Sequence, residues 1–341
     1  HVLLFDVHHI IADGTSAEIM VRDGCQLYFN DPEDLPDLRI QYKDFAVWQN
    51  NLLNSNRIQE QKEYWVNKFK GEVPILDLPT DYPRPPIKSF EGDRVYFELD
   101  EELTARVKEF ASEQGTTLYM TLLSLYNVLL YKYTGQEDII VGSPTAGRRH
   151  ADLEEIVGMF INNLPMRNFP VGDKTFQEFL AEVKENTLEA FENQDYQFDA
   201  LVEELDLDRD VSRNPLFETE FDLQNMEFYE WDIEDLQFIP YQLTRKTSQF
   251  DIALECQEEG DKIAATFEYC TEIFKQETVE RLAKHYRSLL ETVTEQPELK
   301  LADIDINTEE DKRLLLEEFN DTDREYRDDK LVTELFEEQV K

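Results

Sequence analysis

Two adjacent histidines, His8 and His9, stand just ahead of an acidic residue and a glycine in the run His8-His9-Ile10-Ile11-Ala12-Asp13-Gly14. Neutral imidazole is a base near pH 7, so a histidine placed against a nucleophile can take its proton or orient it. The preceding Val2-Leu3-Leu4-Phe5 is a short apolar run of the kind that fills a buried strand. Thr15-x-x-Glu18 then reads as a capping box, with Ala17, Met20, Val21, Gly24 and Tyr28 on one helical face. The pair is therefore expected in a strand-to-helix connection, facing a helix N-terminus. That end offers free N–H groups and partial positive charge to a developing oxyanion, and Gly14 would allow close backbone approach. A lone histidine at a strand end is usually structural. A tandem pair at fixed spacing from Asp-Gly carries more information.

The elements that must hold this stretch belong to a chain of 341 residues, long enough for two lobes with their own cores. With 41% hydrophobic and 12% aromatic residues the composition is globular. Lys+Arg 34 against Asp+Glu 75 gives a net charge of -41, which repels phosphate backbones and anionic lipid heads. Nucleic-acid and membrane-surface partners are thus poor readings, and the dispersed acids read as a solvated surface. Cys25, Cys256 and Cys270 lack metal-site spacing and point to a reducing compartment without disulfides; no metal is expected. No transmembrane stretch or signal peptide is visible, but the chain opens inside a strand pattern and is expected to be a fragment.

After the first helix, Asn30-Asp31-Pro32 closes the unit, and a long helix is expected from Tyr42 to about Phe69. Its stripe of Phe45, Trp48, Leu52, Tyr64, Trp65 and Phe69 is what a packed core needs. Residues 73–93 hold Pro74, Pro79, Pro83, Pro85 and Pro86 and read as an extended connector between lobes. Val95, Phe97 and Leu99 alternate in a half-buried strand. Leu103, Val107, Phe110 and Ala111 mark an amphipathic helix stopped at Gly115, and an apolar helix runs from Thr117 to Tyr133, closed by Gly135. Residues 138–141 read as an inner strand with 142–148 as its exit loop. Residues 156–167 read as a glycine followed by a strand ending in Asn162, Asn163 and Arg167. A helix over 176–191, a strand over 218–225, a hairpin turning at Gly260-Asp261 and a helix over 276–293 follow.

HHxxxDG is the active-site motif of the condensation domains of nonribosomal peptide synthetases, and the chain resembles that family along essentially its whole length. Tyr42-Lys43-Asp44-Phe45-Ala46-Val47-Trp48 resembles its Y-x-D-F-A-x-W segment. Residues 157–167 resemble (I/V)-G-x-F-V-N-T-x-x-x-R, with Ile161 and Asn163 as departures. Asn193-Gln194-Asp195-Tyr196-Gln197-Phe198-Asp199 resembles (H/N)-Q-D-x-P-F-E, with Gln197 and Asp199 as departures. Residues 209–217 match R-D-x-S-R-N-P-L-F at every stated position. Residues 300–341 resemble the linker leaving such a domain and the first residues of an adenylation domain.

The resemblance implies an α/β fold of two chloramphenicol acetyltransferase-like lobes in a V, the N-terminal lobe only partly present. Residues 1–72 would end that lobe, 94–299 would form the C-terminal lobe, and the histidine motif would sit at the junction. It implies amide-bond formation between a donor acyl or peptidyl thioester and an acceptor aminoacyl thioester. Both would ride on phosphopantetheine of upstream and downstream carrier domains, with no directly bound cofactor, in a cytoplasmic, bacterial setting. His9 would act on the attacking amine as general base or by orienting it. His8 would be structural, Asp13 an orienting ion-pair residue and Gly14 an oxyanion donor. Asp13 has no partner visible in this sequence, since the family's pairing arginine lies upstream of the motif. Asn162, Asn163, Gln194, Asp195 and Arg213 are expected to line the channel or bridge the lobes. The rivals are an epimerisation domain, whose E-G-H-G-R-E-like segment is not seen, and a non-catalytic docking platform for carrier or tailoring proteins. A heterocyclisation domain would replace the histidines, and a free CoA-dependent acyltransferase fits the tail poorly.

Overall fold

The computed structural model describes residues 2, 4, 6–29, 35–207, 210–224, 232–233, 236–237, 245–323 and 330–340. In chain order its elements are α1 (Gly14–Phe29), α2 (Tyr42–Leu53), α3 (Asn56–Lys68), β1 (Gly92–Leu99), α4 (Glu101–Glu113), α5 (Leu118–Thr134), β2 (Ile139–Thr145) and β3 (Asn162–Asn168). There follow α6 (Phe176–Glu192), α7 (Phe198–Leu205), β4 (Thr219–Gln224), the two-residue β5 (Asp232–Ile233) and β6 (Leu236–Gln237), β7 (Ile252–Glu259), β8 (Lys262–Cys270) and α8 (Gln276–Glu295). The last are α9 (Glu309–Arg313) and α10 (Val332–Val340). Leu3, Phe5, the Asn30-Asp31-Pro32 closure, Arg209 and Asn225 lie outside the described residues.

Alternation in β1 leaves Val95, Phe97 and Leu99 on one face, and the register carries that face across a six-stranded sheet of order β1-β8-β7-β4-β2-β3. The β7–β4 and β4–β2 pairs are parallel; the outer pairs are antiparallel. The β7–β8 hairpin turns through Gly260-Asp261, with Gly260 at φ +63°. On the apolar face α5 is the central helix, capped by the Thr117 hydroxyl and ended by Gly135 at φ +69°. Every residue from Met120 to Leu130 is buried, because α4, α6, α8 and the sheet all pack against it. The mixed α/β architecture expected from the sequence is the one found.

The opposite sheet face is acidic. Register brings Glu220 of β4, Asp222 beside it, Glu255 of β7 and Glu268 of β8 together, with Arg94 of β1 paired to Glu255 and Glu268. Burial, and then the charges of Asp222, Glu255 and Glu268, raise the Glu220 carboxyl to about 8. Burial raises Asp222 to about 6, against the opposing hydrogen bond of Gln224.

Several expectations are corrected. Val2 and Leu4 are 73% and 71% exposed and lie in no strand, since no described strand offers them a ladder. The first helix starts at Gly14, so Thr15 lies inside it and the cap is Asp13, whose carboxylate accepts the Ser16 N–H. Its buried side is Ser16, Ile19 and Cys25; Val21 and Tyr28 face solvent. The long helix is broken at Asn54-Ser55, where Ser55 turns to extended backbone and starts α3. Strand β2 continues through Thr145, held by β3, and β3 begins at the asparagines instead of ending there. Residues 156–161 are irregular, with backbone groups bonded to side chains: the Ile156 carbonyl to Arg148, Gly158 to Ser16, the Met159 carbonyl to Tyr42 and the Phe160 N–H to Asp13.

Asp305–Lys341 forms a second compact unit, in which Thr308 and Asp311 make a capping box for α9. Among the described residues no helix is long and apolar enough to cross a membrane.

Two outcomes follow from packing and charge. A Cβ at Gly142 would sit 2.1 Å from the Phe217 ring, whereas one at Gly24, inside α1, meets nothing within 4 Å. Gly142→Ala is expected to destabilise by about 1–3 kcal/mol and Gly24→Ala to stabilise by about 0.5–1 kcal/mol, read as urea midpoints. Glu220 binds its proton more tightly folded than unfolded, so its contribution is full below the unfolded value near pH ~4.3 and is lost as pH rises to about 8. Glu220→Gln should flatten that decline and raise the midpoint at pH 8.

Candidate functional site

His8 and His9 lie where a single 3-10 turn, His9–Ile11, leads to α1. His8 shapes the turn: its Nδ1 accepts the Ile10 N–H at 3.1 Å, and its carbonyl accepts the Ile11 N–H at 3.1 Å. The His9 side chain is exposed. Gly14, also exposed, is the first residue of α1, so the histidine turn runs straight into a helix N-terminus.

Asp13 anchors this turn. Its carboxylate receives Arg148 Nη1 on Oδ2 at 2.6 Å and Arg148 Nη2 on Oδ1 at 3.0 Å, a two-pronged pair with both side chains almost wholly buried. Oδ1 also accepts the Ser16 N–H at 2.8 Å and the Ser16 hydroxyl at 2.7 Å, and Oδ2 accepts the Phe160 N–H at 3.1 Å. Burial by itself raises the Asp13 carboxyl, but the Arg148 and Ser16 hydrogen bonds and the guanidinium charge outweigh it and hold it below the usual carboxylate value. Arg148 donates further to the Ile156 carbonyl and lies 4.2 Å over the Phe160 ring. Thus Asp13 does have a partner in this chain, in the loop leaving β2. Gly147 makes the approach possible: it sits at φ +66°, and a Cβ there would lie 2.1 Å from the Phe160 carbonyl oxygen.

The neighbouring Arg149 turns to a different acid. Asp195 Oδ2 receives Arg149 Nη1 and Arg57 Nη2, each at 2.9 Å, and Gln61 Nε2 at 3.2 Å. Gln194 accepts the Thr145 hydroxyl at 2.8 Å and donates to the Phe191 carbonyl. Asn162, buried at the start of β3, donates to the Gln194 and Tyr196 carbonyls at 2.9 Å and accepts the Phe198 N–H at 3.0 Å. Asn162, Gln194 and Asp195 line a cavity of about 550 Å³ whose apolar wall is Phe45, Trp48 and Phe160. Asn163 follows in β3 opposite Pro144. Arg213 belongs to a separate network: it pairs with Glu218 at 3.1 Å and approaches Asp210, near the Arg84–Asp251 pair that also reaches the Ser212 carbonyl.

The fold therefore brings Asn162, Gln194 and Asp195 together, connects them to Asp13 through Phe160 and the Arg148-Arg149 loop, and leaves Arg213 apart. Sequence reading missed Arg148, Ser16, Gly158 and Phe160. One signal was present: 148–149 is the only Arg-Arg pair in a strongly acidic chain. Asp13→Asn would leave Arg148 buried without its countercharge, a loss of about 3–5 kcal/mol at pH 7. Because the folded carboxyl lies below its unfolded value, that contribution is present above pH ~4 and fades as pH falls through the folded value. Denaturation of both proteins at pH 7 and pH 3 should show the gap closing in acid.

The family model described as Condensation domain matches residues 1–316. The chain is 51% identical over 343 residues to gramicidin S synthase 2 of Brevibacillus brevis, and 49% identical over 340 residues to bacitracin synthase 3 of Bacillus licheniformis. Both alignments cover 100% of this chain but 8% and 5% of the relatives, so it spans less than a tenth of their length. Among solved structures, a four-domain nonribosomal peptide synthetase bound to AMP and glycine shares the fold at TM-score 0.79 and 22% identity, over 89% of this chain and 24% of that one. The X-domain in complex with OxyB from teicoplanin biosynthesis gives TM-score 0.76 and 27% identity, over 89% of this chain and 69% of that one. The chain belongs to the condensation-domain family of nonribosomal peptide synthetases.

Proposed function

We propose that the chain forms an amide bond between two thioesters carried on phosphopantetheine arms of partner carrier domains. The free amine of the acceptor aminoacyl thioester attacks the donor carbonyl; the new C–N bond forms, the C–S bond breaks, and the donor arm leaves as a thiol. The observation that carries this reading is the exposed His9, on a turn that runs into the α1 N-terminus and is followed at once by the buried Asp13–Arg148 pair. His9 takes the amine proton or orients the amine, and holding two reactants in register supplies much of the acceleration in either case. His8 keeps the turn in shape, Asp13 holds it to the β2 exit loop, and the Gly14 N–H is the oxyanion donor. Asn162, Gln194 and Asp195 shape the cavity wall that a carried chain passes, with Asn163 behind them. Arg213 ties the 73–93 connector, through the Glu218 cluster, to the start of β4. Upstream and downstream carriers and a following adenylation domain are the partners this reading assigns, and the setting it assigns is cytoplasmic.

A second reading, docking without catalysis, draws on the likeness to an X-domain seen in complex with OxyB. Epimerisation is the other rival. Single-turnover amide formation between two loaded carriers in the complete module separates all three. His9→Ala, with acceptor loading unchanged, is expected to lower the rate by about 10²–10⁴-fold. Equal product from His9→Ala and wild type would remove His9 from the chemistry. No amide from the wild type across several donors would favour docking, and inversion of the donor Cα without amide would favour epimerisation.

A further inference from the structure

The Asp13–Ser16 anchor depends on a short irregular turn, residues 158–160, that is remote in sequence. Gly158 donates its N–H to Ser16 Oγ at 3.0 Å, its carbonyl lies 2.8 Å from the same oxygen and shares the single Ser16 hydroxyl proton with Asp13 Oδ1, and the Phe160 N–H donates to Asp13 Oδ2. No ladder holds this turn, since β3 starts only at Asn162. What lies against it is the first turn of α2. The Tyr42 hydroxyl donates to the Met159 carbonyl at 2.7 Å, the central residue of the turn. Its ring packs against Gly158, where a Cβ would come within 2.1 Å of it, and meets the Phe160 ring edge-on at 5.2 Å. Phe45, one turn further on, packs against both rings, with centroids 4.6 Å from Phe160 and 5.8 Å from Tyr42. Burial, and after it the charge of Asp13, raise the Tyr42 hydroxyl above its ordinary value, so the phenol stays a neutral donor at physiological pH.

We propose that Tyr42 is a positioning residue for the His8–Gly14 turn: it holds the Gly158–Phe160 turn so that three backbone groups stay on Ser16 and Asp13. Among the described residues Tyr42 makes no hydrogen bond or ring contact with either histidine, and it acts through that turn. Asp44 fixes the start of α2, where Tyr42 stands, by accepting the Gln41 N–H on its carboxylate at 2.9 Å. The effect on turnover rests on the amide-forming reaction proposed above; the positioning itself does not.

Tyr42→Phe keeps the ring over Gly158 and removes only the Met159 hydrogen bond. Native-state hydrogen exchange should then be about tenfold faster at the Ser16, Gly158 and Phe160 amides, with α5 and α8 unchanged. In the complete module the same variant should lower kcat by a similar factor at unchanged KM for both carriers. Tyr42→Leu should show the larger exchange effect at the same three amides. Unchanged exchange there, or uniform acceleration throughout the protein, would overturn the proposal. Faster local exchange in a module whose wild type makes no amide would sink the proposed reaction and leave the positioning intact.

Discussion

Asp13 and Arg148 hold opposite charges against each other with both side chains almost fully removed from water. Such a pair is tolerable only when its remaining donors and acceptors are met, and here they nearly all are: Ser16 and Phe160 complete the carboxylate, and Ser16 and the Ile156 carbonyl receive the guanidinium. The requirement dictates much around it. It selects the buried side of α1, where Ser16 and Ile19 go inward and Val21 outward, against the apolar pattern. It draws residues 156–161 away from a ladder, since Gly158 bonds Ser16 and the Phe160 N–H bonds Asp13. It also requires glycine at 147, where the loop passes the Phe160 carbonyl.

The sheet delivers one half of the pair. Strand β2 is paired on both sides, by β4 and β3, and packs on the buried helix α5, so the loop it feeds starts from a strand held on both edges and one face. Two consecutive arginines then diverge. Arg148 locks the histidine turn, while Arg149 joins Arg57 on Asp195 at the cavity. Phe160 belongs to both places, its N–H on Asp13 and its ring in the cavity wall. The anchor of the histidine turn and the cavity thus share one backbone segment.

Local signals were legible in the sequence. Thr117 and Gly135 bracket α5 as cap and left-handed stop, the β1 alternation gave its buried face, and Gly260-Asp261 marked the hairpin. Errors arose where tertiary contacts override local pattern. Thr15-x-x-Glu18 is a sound capping box in isolation, yet Asp13 caps the helix because Arg148 holds its carboxylate there. The apolar stripe over 42–69 continues across Asn54-Ser55 while the backbone does not. The His8–Gly14 motif stood out by residue type and spacing, but its partner lies 135 residues away, a separation no local rule spans.

The central claim is that Asp13 and Arg148 act as one unit that places the histidine turn. Amide-forming rates of the complete module with Asp13→Ala, Arg148→Ala and both together test it directly, each variant checked for folding by its unfolding midpoint. If the pair is one unit, the double variant loses no more than the worse single variant, because removing either partner already frees the turn. Losses that multiply, or a folded Arg148→Ala protein at the wild-type rate, would contradict the account.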